Sequence, residues 1–320
     1  MTGKQRVVHA IEHKTPIHGE HVPHFEMVFY LTMEALGMVH PTHCFYAQWD
    51  QFSKSEKELH RANHAECYLK TARLYNHDAI FVHPNPYTHE ETVRLLEIIR
   101  ERSGDEFFLL LHGDPTYAIP SGADMIEFAV AFAEEPEKMK QKANQLVDQY
   151  ICNAEKISHY KGLLDGFAMC SDYCFNAAPF FSPGQFADFV TPYLTRIIQA
   201  YKDIGYYTFK HTDGNIMTIL DQLVQAGPHV LHSLDPQAGV DLKTIKKICG
   251  RQICLMGNVN CGLLQTGTDE EVRSDVRRAI RDGMCDGGFI LSTSNCIYSG
   301  LPLERYELMH KTWREDGIYT

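Results

Sequence analysis

The sequence has no run near the roughly 18 uninterrupted apolar residues that a membrane span requires. Its first twenty residues, MTGKQRVVHAIEHKTPIHGE, contain no apolar signal core, so neither export nor insertion is expected and the chain reads as cytoplasmic. Positive charge is short as well: 30 Lys and Arg face 41 Asp and Glu, a formal net charge of −11. Such a field repels phosphate backbones and polyanions, which argues against a nucleic-acid partner. Cysteine, at 10 in 320 residues, is too sparse for a disulfide scaffold. Without a secretory signal the cysteines should be thiols, and no CxxC pair marks a metal knuckle. Neither a dinucleotide nor a P-loop glycine fingerprint is present, so no nucleotide cofactor is expected.

Histidine, by contrast, is plentiful: there are 18, most of them in the first 89 positions. The run His18, His21, His24 with Glu20 and Glu26 suggests a metal site, but a spacing of three along an extended segment points these side chains to different faces. They are read as exposed or hydrogen-bonded histidines. The overall balance, 44% apolar and 22% charged, is that of a soluble globular protein. Length alone allows two domains or one large barrel.

Periodicity chooses between these. Eight β-rich runs recur at 22–29, 79–84, 107–114, 166–172, 206–214, 230–236, 253–260 and 288–295. Several are continuously apolar before turning polar at their C-terminal ends, as parallel strands buried on both faces should be. Helical patterns with start signals lie between them: capping boxes at Ser53–Glu56, Ser55–Glu58 and Thr268–Glu271, and Ser182 before Pro183. Gly227 and Gly250 read as stops. No linker divides the chain. The expected fold is α/β, a single (β/α)8 TIM barrel over residues 1–320 with a short N-terminal extension, with a doubly wound sheet as the alternative.

In a (β/α)8 barrel the active site is built at the C-terminal ends of the strands. Those ends carry Glu26, His83 and Asn85, His112 and Asp114, Asp172, His211 and Asp213, Asp235, Asn258 and Cys261, and Ser292, Asn295 and Cys296. His211, Asp213, Asp235, Cys261 and Cys296 offer thiolate, imidazole and carboxylate, a donor mix that suits zinc. Asp213 has an ordinary reading as a helix N-cap, Asp235 as the turn residue before Pro236. Phe25, Phe29, Tyr30, Phe175, Phe180 and Phe181 are placed near the mouth, where they could hold a ring.

Several segments, HTDGN (211–215), ILDQLVQAG (219–227), GNVNCGLLQTGTDEEV (257–272), GGFILSTSN (287–295) and PLERYELM (302–309), resemble the C-terminal half of the uroporphyrinogen decarboxylase superfamily. FFSPGQFADFVTPYLTRI (180–197) extends that similarity upstream, and KQRVVHAIEHKTP (4–16) matches loosely at the start. The resemblance implies the (β/α)8 barrel and one of two chemistries: decarboxylation of a polycarboxylate, or zinc-dependent methyl transfer involving corrinoid proteins. The decarboxylases resemble one another in an arginine-bearing N-terminal segment, whereas VPHFEMVFYLTMEALG (22–37) has no Arg or Lys. That favours the methyltransferase branch, whose zinc is similar to the set here: His-x-Cys followed by a later Cys.

This chain departs from that pattern at Asp213, where Cys is expected, and adds Cys261. The methyltransferase component of O-demethylases, using Asp and two Cys, is the nearest resemblance. It implies Asp235, Cys261 and Cys296 as zinc ligands with His211 beside them, the choice of carboxylate being open. Glu26, Asp114 and Asp172 are the candidate general acids. His83, Asn85, His112, Asp213 and Asn258 are expected to contact substrate. The activity implied is transfer of a methyl group from a methyl ether, a methoxylated aromatic, to the corrinoid (cobalamin) of a partner protein. The alternatives are transfer from a methylcorrinoid to a thiol, a decarboxylase-like lyase, and a metal-binding barrel without catalysis.

Overall fold

The structure, a computed structural model, describes residues 1–320. Seven strands lie in one parallel sheet in chain order: β1 Ala79–Phe81, β2 Phe108–His112, β3 Gly166–Cys170, β4 Tyr207–His211, β5 Val230–His232, β6 Cys254–Val259 and β7 Phe289–Thr293. Helices follow the strands and pack outside them, the arrangement of a (β/α)8-type barrel. No helix is long and apolar enough to cross a membrane.

Segment 22–29, expected as a strand, forms only isolated bridges, His24 with Leu291 and Phe29 with Ile297. It lies between β7 and β1: the Leu291 N–H donates to the Pro23 carbonyl at 2.8 Å and the Asp78 N–H to the His24 carbonyl at 2.7 Å. The reason is local. Pro23 has no N–H to give to a ladder, and the His24 N–H is taken by the Asp78 carboxylate at 2.9 Å. Eight expected strands thus become seven and a bridging segment.

The capping boxes at Ser53–Glu56 and Thr268–Glu271 form as expected, whereas Ser55 lies inside the helix Lys54–Leu74 and caps nothing. Ser182 pairs with Gln185 ahead of Pro183. Gly227 and Gly250 both end their helices, Gly227 in the left-handed conformation and Gly250 in the right-handed one.

Two layers of apolar side chains flank the sheet. The larger fills the space between strands and helices. The smaller lines the barrel interior and takes alternate strand residues: Phe81, Leu110, Ala168, Phe209, Val230, Met256 and Ile290. By the two-residue period of a strand, the next inward position toward each C-terminal end is His83, His112, Cys170, His211, His232, Asn258 and Ser292. The interior therefore changes from an apolar floor to a layer of imidazole, thiol, amide and hydroxyl.

Lys210, on the opposite face of β4 from His211, is fully buried and forms an ion pair with Asp114 at 2.8 Å, neither side chain exposed. Its ammonium also donates to the carbonyls of Met169 (3.2 Å) and Ser171 (2.9 Å) and lies 4.1 Å from the centre of the Tyr173 ring. Asp114 accepts further bonds from the N–H and hydroxyl of Thr116 and from the Ser171 N–H. Breaking such a pair strands one buried charge, at a cost of about 3–5 kcal/mol. Lys210→Met should lose that much stability in urea denaturation, and adding Asp114→Asn should recover part of it. A single variant as stable as the parent would show the pair to be dispensable.

Candidate functional site

β4 and β5 are paired so that His211 and His232 face each other in register. Their Nδ1 atoms are 2.8 Å apart. His232 Nε2 lies 3.0 Å from the Thr293 carbonyl oxygen and 3.0 Å from the Ser292 hydroxyl. A carbonyl only accepts, so His232 carries its proton on Nε2. Burial, and then the neighbouring His211, hold its pKa well below the usual imidazole range, so it is neutral and its Nδ1 is a lone pair. That lone pair accepts from His211 Nδ1–H. Burial also depresses His211, against the pull of Asp172. His211 Nε2 is consequently a lone pair too.

The Nε2 lone pair faces Asp172 Oδ1 at 3.5 Å and Asp213 Oδ1 at 3.7 Å. Burial and then Asp172 push Asp213 up to about 7. Its Oδ1 is buried with no hydrogen-bond partner, while Oδ2 accepts from the Asn295 amide. The turn is set by Gly214: at φ +80° its position admits no Cβ, which would meet the Cys174 and Phe175 carbonyls at 2.5 Å. Asp172 is positioned by the Asp213 N–H, which donates to its Oδ1 at 3.0 Å. The ligand atoms of Asp172, His211 and Asp213 lie within 4.8 Å of one another. Three acceptors around one point, one of them orphaned, are satisfied by a cation, and an N/O set of three donors fits zinc with a position left open.

This differs from the ligand set expected from sequence. His211 is brought together with Asp172 and Asp213, not with Asp235, Cys261 and Cys296. Asp235 accepts from the Gln237 N–H at 2.9 Å, capping the short turn Pro236–Ala238. Cys261 opens the helix Cys261–Thr266, its Sγ 3.8 Å from the Ser294 hydroxyl and 4.0 Å from the Cys296 carbonyl. Burial pushes its thiol up to about 12 and that of Cys296 to about 11. Asp235 and Cys261 instead line a neighbouring cavity of about 380 Å³ with Gln265, Ser294, Asn295 and Tyr298. Asn295 joins the two, holding Asp213 from the cavity wall. Asp213 does not cap a helix, the next one beginning only at Leu220.

The candidate acids separate clearly. The pKa of Asp114 is lowered: burial alone would raise it, but the Lys210 ammonium outweighs that, so Asp114 has no proton to give and is not an acid. Glu26 is buried and pushed up to about 8 by desolvation, against its bonds from the Thr293 N–H and hydroxyl. Glu26 thus holds a proton near neutrality, where Asp114 does not. Asp172 is half-exposed and turned to His211.

Of the expected substrate contacts, Asn85 is engaged with the carbonyls of Pro41 and Cys44, and Asn258 with the Leu234 carbonyl and Arg278. Both are structural. His83 remains inward with an unpartnered buried Nδ1, burial holding it down to about 4; burial also lowers His112. The mouth aromatics are mostly core: Phe25 packs on Phe209, Phe29 on Tyr75 and Tyr306, and Phe180 and Phe181 on Phe128. Only Phe175 is well exposed, and Tyr30 stacks on His43. His232 was missed by the sequence reading, although the step from Val230 to His232 carries the same inward alternation as Phe209 to His211.

The family model described as Uroporphyrinogen decarboxylase (URO-D) matches residues 132–315. No curated protein sequence matches the chain. Among solved structures, a methyltransferase from Methanosarcina mazei superposes with a TM-score of 0.74 at 17% identity, covering 98% of this chain and 99% of that one. A D-psicose 3-epimerase in the presence of D-fructose aligns at a TM-score of 0.42 and 12% identity, over 90% and 95% of the two chains.

Two outcomes are expected. His232→Phe should weaken zinc binding about 10–100-fold in chelator competition, the usual effect of losing a residue that orients a metal ligand; His232→Gln, which still accepts from His211, should retain most of it. Unchanged affinity in His232→Phe would remove His232 from the account. For Glu26 the folded pKa lies above its ordinary value, so its stabilising contribution is complete below pH 4.5 and is lost as pH rises toward about 8. Across that window wild type should lose stability relative to Glu26→Gln with a slope of up to about 1.4 kcal/mol per pH unit, read from denaturation at each pH.

Proposed function

The chain belongs to the uroporphyrinogen decarboxylase family, and from that premise we propose that it is a zinc-dependent methyltransferase acting with a corrinoid protein. In this reading a methyl group passes from a methyl ether to the corrinoid of the partner. The observation that carries it is the His211 lone pair aimed between Asp172 and Asp213, one of whose oxygens has no partner. Decarboxylation of a polycarboxylate is disfavoured by the same site: Asp172, Asp213 and Asp235 would meet the substrate's carboxylates, and segment 22–37 brings no Arg or Lys to offset them.

Zinc would be held by His211, Asp213 and Asp172, and would supply Lewis acidity to an ether oxygen, a poor leaving group that becomes negative as its bond to methyl breaks. The protein's own groups do the rest. His232 fixes the tautomer and direction of His211. Asn295 holds Asp213 from the other side. Glu26, buried beside Cys261 and Cys296, keeps a proton that the departing oxygen can take. The cavity walled by Asp235, Gln265, Ser294, Asn295 and Tyr298 has no cation and a single ring, which suits a small, polar, uncharged methyl ether; a methoxylated aromatic would rest on Tyr298.

The donor set bears on the direction of transfer. Carboxylate and imidazole are harder ligands than thiolates and favour an oxygen substrate over a thiol. The test combines metal content with activity. Native protein should purify with about one zinc per chain, lost with methyl transfer in His211→Ala and Asp213→Asn. Cys261→Ser and Cys296→Ser should keep the metal. Protein that takes up no zinc, or that transfers no methyl from methyl ethers to a Co(I) corrinoid protein, overturns the reading.

A further inference from the structure

The net charge of −11 conceals an uneven distribution. A cavity of about 960 Å³ opens just before β6 and β7, at the N-terminal end of the barrel, away from the triad. Lys243, Lys246, Lys247, Arg251 and Arg281 all line it. Arg281 is paired with Asp282 at 2.9 Å. The other four have no carboxylate oxygen within 4.0 Å. In a chain where acids outnumber bases, four unpaired cations around one concavity require a cause.

Helix electrostatics supplies part of it. Lys246 and Lys247 lie in the last turn of the helix Leu242–Cys249 and Arg281 in that of Asp269–Gly283, where the negative end of the macrodipole favours a cation. That cause fails for Lys243, which sits in the first turn, where the same dipole opposes it, and for Arg251, which lies beyond the helix end. Moreover Lys243, Lys246 and Lys247 occupy i, i+3 and i+4 on one helical face, a like-charge spacing that weakens a helix. Lys246 is tied in place by donating to the Gly287 carbonyl, while Lys243, Lys247 and Arg251 are exposed on the wall of the same concavity.

We propose that this cavity binds a small anion bearing an oligophosphate group. Lysines act as point-charge phosphate donors and Arg251 adds a fork. The wall also carries Asp282, paired with Arg281, and Asp286, so its four remaining cations outnumber one remaining carboxylate; two or three linked phosphates supply the balance, in a volume that is that of a small-molecule pocket.

The probe is inorganic tripolyphosphate, titrated calorimetrically into the full-length protein. Saturable binding at about one per chain is expected, weakening with salt. Lys243→Glu with Lys247→Glu should reduce affinity about tenfold or more, and Arg251→Glu should weaken it as well. Lys156→Glu with Lys161→Glu, which reverses two exposed lysines elsewhere, should leave it unchanged, with thermal melts confirming that each variant is folded. Absence of saturable binding, an equal loss in the Lys156/Lys161 control, or equal affinity for citrate would each overturn the assignment.

Discussion

The candidate site is held in shape by an ion pair that takes no part in its chemistry. Lys210 and Asp114 are sealed between the sheet and the helices, and their remaining bonds reach Ser171, Thr116 and the Met169 carbonyl. Ser171 and Tyr173 flank Asp172; the Tyr173 N–H donates to the Thr212 hydroxyl at 2.9 Å, and Thr212 lies between His211 and Asp213. One buried charge pair thus sets the loops after β2 and β3 against the end of β4. Replacing such a pair with apolar residues is often neutral in stability. Its value here is positional: it fixes two carboxylates against an imidazole, an arrangement whose mutual repulsion would otherwise spread them apart.

Much of this was legible in the sequence, because parallel strands buried on both faces leave a strong apolar trace. Seven of the eight expected strands form, starting within a residue of the expected runs and ending up to four residues short of them, where the polar residues begin. The eighth failed for a reason visible in retrospect. Pro23 cannot donate, and His24 gives its N–H to a side chain, so the segment bridges without a ladder. The two-residue period also separates residues that the strand-end rule lumps together. His211 follows Phe209 inward, whereas Lys210 points outward and pairs with Asp114. Counting inward positions alone would have found His232 but not excluded Asp114, which has the parity of Leu110 and His112 and departs from it only because β2 ends at His112.

Of the expected metal ligands only His211 lies in the close cluster with Asp172 and Asp213, because spacing does not encode direction. Cys261 and Cys296 do lie near strand ends, but the Cys261 sulfur sits beside the Ser294 hydroxyl and the Cys296 carbonyl, and neither sulfur joins the close cluster of Asp172, His211 and Asp213. Asp213, whose simplest reading was a helix cap, is turned into the mouth by Gly214. Tautomers are still further from sequence. That His211 offers a lone pair follows only from a chain ending at the Thr293 carbonyl, which cannot donate.

The two ends of the barrel differ in charge, and the fold itself predisposes them to. Helices that follow parallel strands begin at the mouth and end at the base, so the mouth collects positive dipole ends that welcome carboxylates and the base collects negative ends that welcome Lys and Arg. An acidic mouth or a basic base is therefore weak evidence of a ligand. The informative residues are those that the dipoles do not explain. At the mouth these are a buried Asp213 oxygen and an imidazole lone pair, both acceptors, facing each other with no donor between them. At the base they are Lys243, at the wrong end of its helix, and Arg251, beyond it. Each is a group held in place without a partner of the opposite kind, and a metal ion at the mouth and an anion at the base are the partners proposed for them.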